Sequence, residues 1–69
     1  MLSLGGFKMI RNGMTIAEAK RNMKKYNWWK FSKERPFESG EVNLHYVSGN
    51  EQLTLFFGKD GKLAKTART

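Results

Sequence analysis

From Glu41 to Gly58 apolar side chains recur at alternate positions, and the alternation breaks once, at a glycine-bearing turn. Val42, Leu44 and Tyr46 alternate with Asn43, His45 and Val47, while Leu53, Leu55 and Phe57 alternate with Thr54 and Phe56. A period of two places successive side chains on opposite faces of a pleated strand. Ser48-Gly49-Asn50 between these runs reads as a hairpin turn. Asp60-Gly61 reads as a second hairpin, of type I′, with glycine taking the positive φ. Leu63 to Thr66 then forms a short last strand. Upstream, Trp28 to Glu34 alternates as well, with Trp29 and Phe31 on one side and Trp28, Lys30 and Ser32 on the other. Arg35-Pro36 is expected to interrupt that ladder, because proline has no N–H to donate. Ser39-Gly40 supplies the next turn.

Ahead of the strands, Thr15 and Glu18 stand in T-x-x-E spacing, the signature of a capping box. The pattern predicts a helix from Ile16 to Lys25 or Tyr26, with Asn27 as its terminator. Gly13 suits a turn before it, and Met14 can staple onto its first turns. At about 100° per residue, Ile16, Ala19, Met23 and Tyr26 fall in one apolar stripe. Lys20, Arg21, Lys24 and Lys25 fall on another face. A shorter helical turn is expected around Gly6–Asn12. The fold class is therefore α+β, with one or two N-terminal helices packed on one face of a three- to four-stranded antiparallel meander. Residues 1–69 make a single domain, with frayed ends at 1–6 and 67–69.

A chain of 69 residues buries only about 60% of the surface its unfolded form exposes, so it depends on a few large side chains. Aromatic residues make up 13% of the sequence, and most of them are expected in the core. With no cysteine there is neither a disulfide nor a thiolate metal site. The apolar runs are far shorter than the roughly 20 residues that cross a bilayer, and the start lacks the pattern of a signal peptide. The expectation is a cytoplasmic protein with no membrane contact.

Catalysis needs converging groups, and the chain has one histidine, His45, on a strand. No motif joins it to Ser32, Ser39 or Ser48. The six carboxylates show no metal-ligand spacing, and Gly58–Lys62 lacks the spacing of a phosphate loop. The expectation is no enzyme, no metal and no cofactor.

The net charge of +7 is segregated. Residues 15–36 hold seven cations and two carboxylates, whereas residues 37–58 hold three carboxylates and neither Lys nor Arg. Such a field draws anionic partners. If Trp29, Phe31, Val42, Leu44, Tyr46, Leu53, Leu55 and Phe57 pack inward, then Trp28, His45, Val47 and Phe56 point outward. The leading expectation is a non-enzymatic protein-binding module, an inhibitor or adaptor, that docks on an acidic partner through Trp28, His45 and Phe56 with Lys30 beside them. The alternative is a nucleic-acid-binding domain that uses the helix cations Lys20, Arg21, Lys24 and Lys25 on phosphates. Lys30, Lys33 and Arg35 would extend that patch, and Trp28 would be a stacking platform. A homodimer covering the outward aromatics is a further option.

Two stretches resemble a known family. Ile10-Arg11-Asn12-Gly13-Met14-Thr15-Ile16-Ala17-Glu18-Ala19 is similar to the I-x-x-G-M-T-x-x-E-V segment that opens the second helix of SmpA/OmlA (BamE-like) domains. Phe57-Gly58-Lys59-Asp60-Gly61-Lys62-Leu63 is similar to their closing F-x-x-D-G-K-L hairpin. These domains share an α-α-β-β-β unit with the β-lactamase inhibitor proteins. The resemblance implies a small non-enzymatic scaffold that binds macromolecules with one sheet face. Met23-Lys24-Lys25-Tyr26-Asn27-Trp28 stands where the family ends its helix with Leu-Gly-x-Pro, and the lipid-attachment cysteine of the outer-membrane members has no counterpart. A role in outer-membrane assembly is therefore not implied, and no functional residue transfers.

Overall fold

The structure, a computed structural model, describes residues 7–69. The fraying expected at 1–6 lies outside the described residues. Thr15 adopts extended backbone ahead of the helix α1, Ile16–Met23. Its hydroxyl accepts the Glu18 N–H at 3.2 Å, and the Glu18 carboxylate accepts the Thr15 N–H at 2.9 Å. The reciprocal box thus satisfies two N–H groups that a helix start leaves without partners.

The helix ends earlier than its apolar stripe predicts. Lys24 is the C-cap, and the N–H groups of Lys25 and Tyr26 donate to Asn22 and Met23, three residues back, at 3.1 and 3.0 Å. Tightening to three-residue spacing winds up the end of a helix without a left-handed residue. Asn27 accordingly is not a left-handed terminator, since no described residue other than glycine has positive φ. Trp29 then donates to the Tyr26 carbonyl at 2.9 Å and turns into the core. Trp28, expected on a strand, is left on this turn, 67% exposed. The early helical turn is a single one, with the Ile10 N–H on the Phe7 carbonyl at 3.0 Å. The Asn22 amide donates to the Met9 carbonyl at 2.8 Å, and the Met9 N–H donates to the Tyr26 hydroxyl at 3.0 Å.

Four strands follow: β1 Lys30–Pro36, β2 Val42–Ser48, β3 Glu51–Phe57 and β4 Leu63–Arg68. They form an antiparallel sheet in the order β1-β2-β3-β4. Arg35 and Pro36 do not break the ladder as expected; they pair with Asn43 and Val42. Proline is tolerated there because β1 is an edge strand with one side free of partners. The β1–β2 and β3–β4 turns share one design. Gly40 donates to Phe37 at 3.0 Å and Gly61 to Gly58 at 2.9 Å, while Phe37 and Gly58 donate to Glu41 and Lys62. Gly61 has φ 79°, but Asp60 before it has no positive φ. The turn is therefore type I followed by a left-handed glycine, not the type I′ turn expected.

The end of the chain is paired, not frayed as expected for 67–69. Thr69 exchanges two 2.9 Å hydrogen bonds with Gln52. The Arg68 guanidinium meets the Glu51 carboxylate through two nitrogens, at 2.8 and 2.7 Å, and lies over the rings of Phe7 and Trp29. Gly13 and Met14 bond to Leu63, which ties the approach to α1 onto the start of β4.

Helix α1 lays Ala19 and Met23 on the sheet face built by Leu44, Tyr46, Leu53, Leu55 and Phe57. Ala19, Leu44 and Leu55 are fully buried. Each large side chain so enclosed contributes about 1.5–3 kcal/mol. Phe31, expected inside, is 52% exposed, and Val42 is half-buried. A helix of eight residues is about 12 Å long. It cannot shade the β1 edge, where all seven residues are exposed. Phe31 instead leans edge-on against Tyr46 at 5.5 Å. No helix among the described residues is long and apolar enough to cross a membrane. The two stretches that carry the family resemblance appear here as a capping box and a hairpin turn. Among the described residues the chain has one helix and four strands.

Candidate binding face

The sheet face turned away from α1 owes its chemistry to a bulge. Lys30 opposes Val47 and Phe31 opposes Tyr46, but Ser32 is skipped and Lys33 opposes His45. One extra residue reverses the alternation beyond it. Lys33 and Arg35 therefore join Lys30 on the outer face, and Glu34 turns to the helix side. There the Lys20 ammonium holds the Glu34 carboxylate at 2.7 Å. Lys30, Lys33 and Arg35, expected to extend the helix patch, therefore do not: they lie on the opposite side of the sheet. A second skip, at Ala64, places Lys65 opposite Phe56.

Register then orders the outer face in rows. Arg35, Asn43, Phe56 and Lys65 form one row, and Lys33, His45, Thr54 and Ala67 form the next. Lys30, Val47 and Gln52 begin the third, which Thr69 completes. Strands about 4.8 Å apart set the two edge strands roughly 14 Å from each other, and rows follow at about 7 Å. Cations thus line the β1 edge, and Lys65 stands on the β4 edge; between them Asn43, His45, Val47, Thr54 and Phe56 are half-buried and Gln52 is exposed. None of these row positions holds a carboxylate.

His45 sits in that centre, its Nδ1 3.2 Å from the Thr54 hydroxyl. Its Nε2 is enclosed and finds no partner among the described residues. Burial, with Lys33 and Arg35 adding their repulsion, pushes the imidazole pKa below its ordinary value. Among the described residues its one side-chain partner is Thr54, and none of Ser32, Ser39 and Ser48 forms a nucleophile–base pair with it. No group of three or more His, Asp or Glu among the described residues could hold a metal.

At the Arg35–Lys65 row the face opens into a cleft of about 380 Å³ lined by Phe37, Glu41, Asn43, Phe56 and Lys65, among others. The Lys65 ammonium stands 4.9 Å from the centre of the Phe56 ring, and the Arg35 guanidinium 5.3 Å from that of Phe37. Exposed contacts of this kind contribute only about 0.5–1 kcal/mol, so both cations can move. The Asn43 amide makes no hydrogen bond with any described residue. Glu41 is the one carboxylate of the lining, and it accepts the Ser39 hydroxyl at 3.0 Å.

Of the residues expected at a partner site, Lys30, His45 and Phe56 share this face in successive rows. Trp28 does not, because it stands on the turn before β1. Among the helix cations, Arg21, Lys24 and Lys25 are exposed, while Lys20 leans toward Glu34 and the Phe31 ring. A second cleft of about 320 Å³ runs between α1 and β1, lined by Lys20, Met23, Lys24, Trp29, Phe31 and Tyr46. Asn43, Phe37 and Lys65 were not expected at the site. Lys65 needs the Ala64 skip to be placed, which no residue type announces.

No protein-family model, curated protein or solved structure matches the chain. The outer face must therefore speak through its own chemistry.

Proposed function

We propose that this protein is a non-enzymatic binding module that docks on an acidic macromolecule with the outer face of its sheet, as an adaptor or by occlusion. One observation carries the reading. Lys30, Lys33, Arg35 and Lys65 share the outer face with no carboxylate in its rows, while Glu34 and Glu51 belong to the inner face and pair there with Lys20 and Arg68. Cations with no carboxylate in their rows raise the local concentration of an anionic partner and speed its association. The helix patch is the weaker candidate, because Lys20 is engaged by Glu34.

The test compares two charge-reversal variants on immobilised polyanions at low salt. Lys33→Glu with Arg35→Glu is expected to abolish retention. Lys24→Glu with Lys25→Glu, on α1, is expected to reduce it only through the lost net charge. Equal losses in both would show that total charge, not this face, does the binding.

A further inference from the structure

Resting on that reading, we infer that the acidic partner is single-stranded nucleic acid. Its phosphates would follow the edge cations, and a base would enter the cleft between Phe37 and Phe56.

Three features favour this partner over an acidic protein. The first is polarity. Protein interfaces concentrate their energy in an apolar, fully desolvated centre with aromatic anchors. Here four of the six positions on the two central strands are polar, Asn43, His45, Thr54 and Gln52; Phe56 and Val47 stand at opposite ends, and the exposed Trp28 lies off the face. A polar, positively charged surface is the nucleic-acid pattern. The second is spacing. Lys30, Lys33 and Arg35 occupy successive rows of β1 at about 7 Å steps, comparable to the phosphate repeat of an extended single strand. The third is the cleft. Aromatic faces stack bases of any sequence, and Asn43 offers both a donor and an acceptor to a base edge.

The cations that now lie over the rings fit the same scheme. Lys65 covers Phe56 and Arg35 covers Phe37. Each can exchange its ring for a phosphate and leave the aromatic face to the base. Glu41 lines the same cleft, outside the rows that hold the cations. A single strand is favoured over a duplex because a paired, stacked base cannot enter the cleft.

Fluorescence anisotropy of the whole chain with a labelled oligothymidylate tests the inference, with the same oligonucleotide as a duplex and a polyglutamate peptide as rival probes. The single strand is expected to bind most tightly. With three or four phosphates neutralised, affinity should fall roughly 20- to 50-fold between 50 and 200 mM salt. Phe56→Ala is expected to weaken binding about fivefold or more. Phe37→Ala, on an exposed turn, should do the same and serves if Phe56→Ala unfolds. Preferential binding of polyglutamate would overturn the nucleic-acid partner and leave the acidic docking face standing, whereas binding of neither probe would remove both. Tighter binding of the duplex would overturn the inference, and so would Phe37→Ala and folded Phe56→Ala proteins of unchanged affinity.

Discussion

Lys20 on α1 and Glu34 on β1 meet at 2.7 Å because Ser32 drops out of the ladder between them and the sheet's first cations. Both side chains are about 40% exposed, 43% and 40%, so the pair itself contributes only about 0–1 kcal/mol. The bulge matters more for what it does to the faces. A regular strand continuing from Phe31 on the inner side would carry Lys33 inward and Glu34 outward, and it would break the row of cations on the outer face. Edge bulges also disrupt the flat template on which another chain could pair. Deleting Ser32 removes the extra residue without moving Lys33 from opposite His45. The variant should therefore keep its fold and its polyanion binding but self-associate at lower concentration. Sedimentation velocity across a concentration series reads the change, and a strictly monomeric deletion variant would show that the bulge does not guard the edge.

The sequence announced each element whose logic is local. Thr15 and Glu18 close their box because the partners are three residues apart, and Leu53, Leu55 and Phe57 keep one face because their period is uninterrupted. What escaped depended on neighbours distant in the chain. Pro36 could stay in a strand only because β1 turned out to be an edge. Phe31 stayed half in water because α1 stops at Met23, which nothing in the composition of Lys24-Lys25-Tyr26 dictates. The candidate face suffered most, since two skipped residues, Ser32 and Ala64, decide which cations share it. His45 and Phe56 were legible there because both lie in unbroken alternation.

Leu55→Ala should be among the most damaging substitutions. The side chain is fully buried on β3, a strand paired on both sides, with β2 and with β4. Truncation removes its transfer free energy and leaves a cavity, at a cost of about 2–5 kcal/mol. A domain this small has little stability in reserve, so the urea midpoint should fall steeply or the protein should unfold in buffer. A midpoint close to that of the wild type would place Leu55 outside the cooperative core.

The capping box gives two separable predictions. Thr15→Ala removes the hydroxyl that accepts the Glu18 N–H and should cost about 1 kcal/mol at neutral pH. Glu18 itself has its pKa held down, first by the backbone hydrogen bond from Thr15 and then by the Thr15 hydroxyl. A lowered carboxylate pKa contributes stability above the ordinary value of 4.5, and that contribution is lost as pH falls through the lowered value. Glu18→Gln keeps an acceptor but no charge. Its stability, followed by thermal melting from pH 6 to pH 3, should therefore lack the part of the acid decline that belongs to this residue.

His45 has the opposite sense of titration and connects stability to binding. Burial and the nearby Lys33 and Arg35 disfavour its charged form, so its pKa in the folded protein lies below the ordinary 6.5. Above pH 6.5 the imidazole is neutral in both states and the folded protein keeps its full stability. As pH falls below 6.5 the unfolded chain takes up the proton first, and stability declines until the depressed folded value is passed. An anion held between Lys33 and Arg35 reverses the local field and raises the pKa again, and each unit of that rise is worth up to about tenfold in affinity at acid pH. Polyanion binding should therefore tighten between pH 7.5 and pH 5.5 while the free protein becomes less stable. His45→Gln should flatten both trends. Titration of the imidazole by proton NMR, with and without oligonucleotide, measures the shift directly. An unchanged pKa on binding would mean that the anion does not sit beside His45, and the outer face would lose its place as the docking surface.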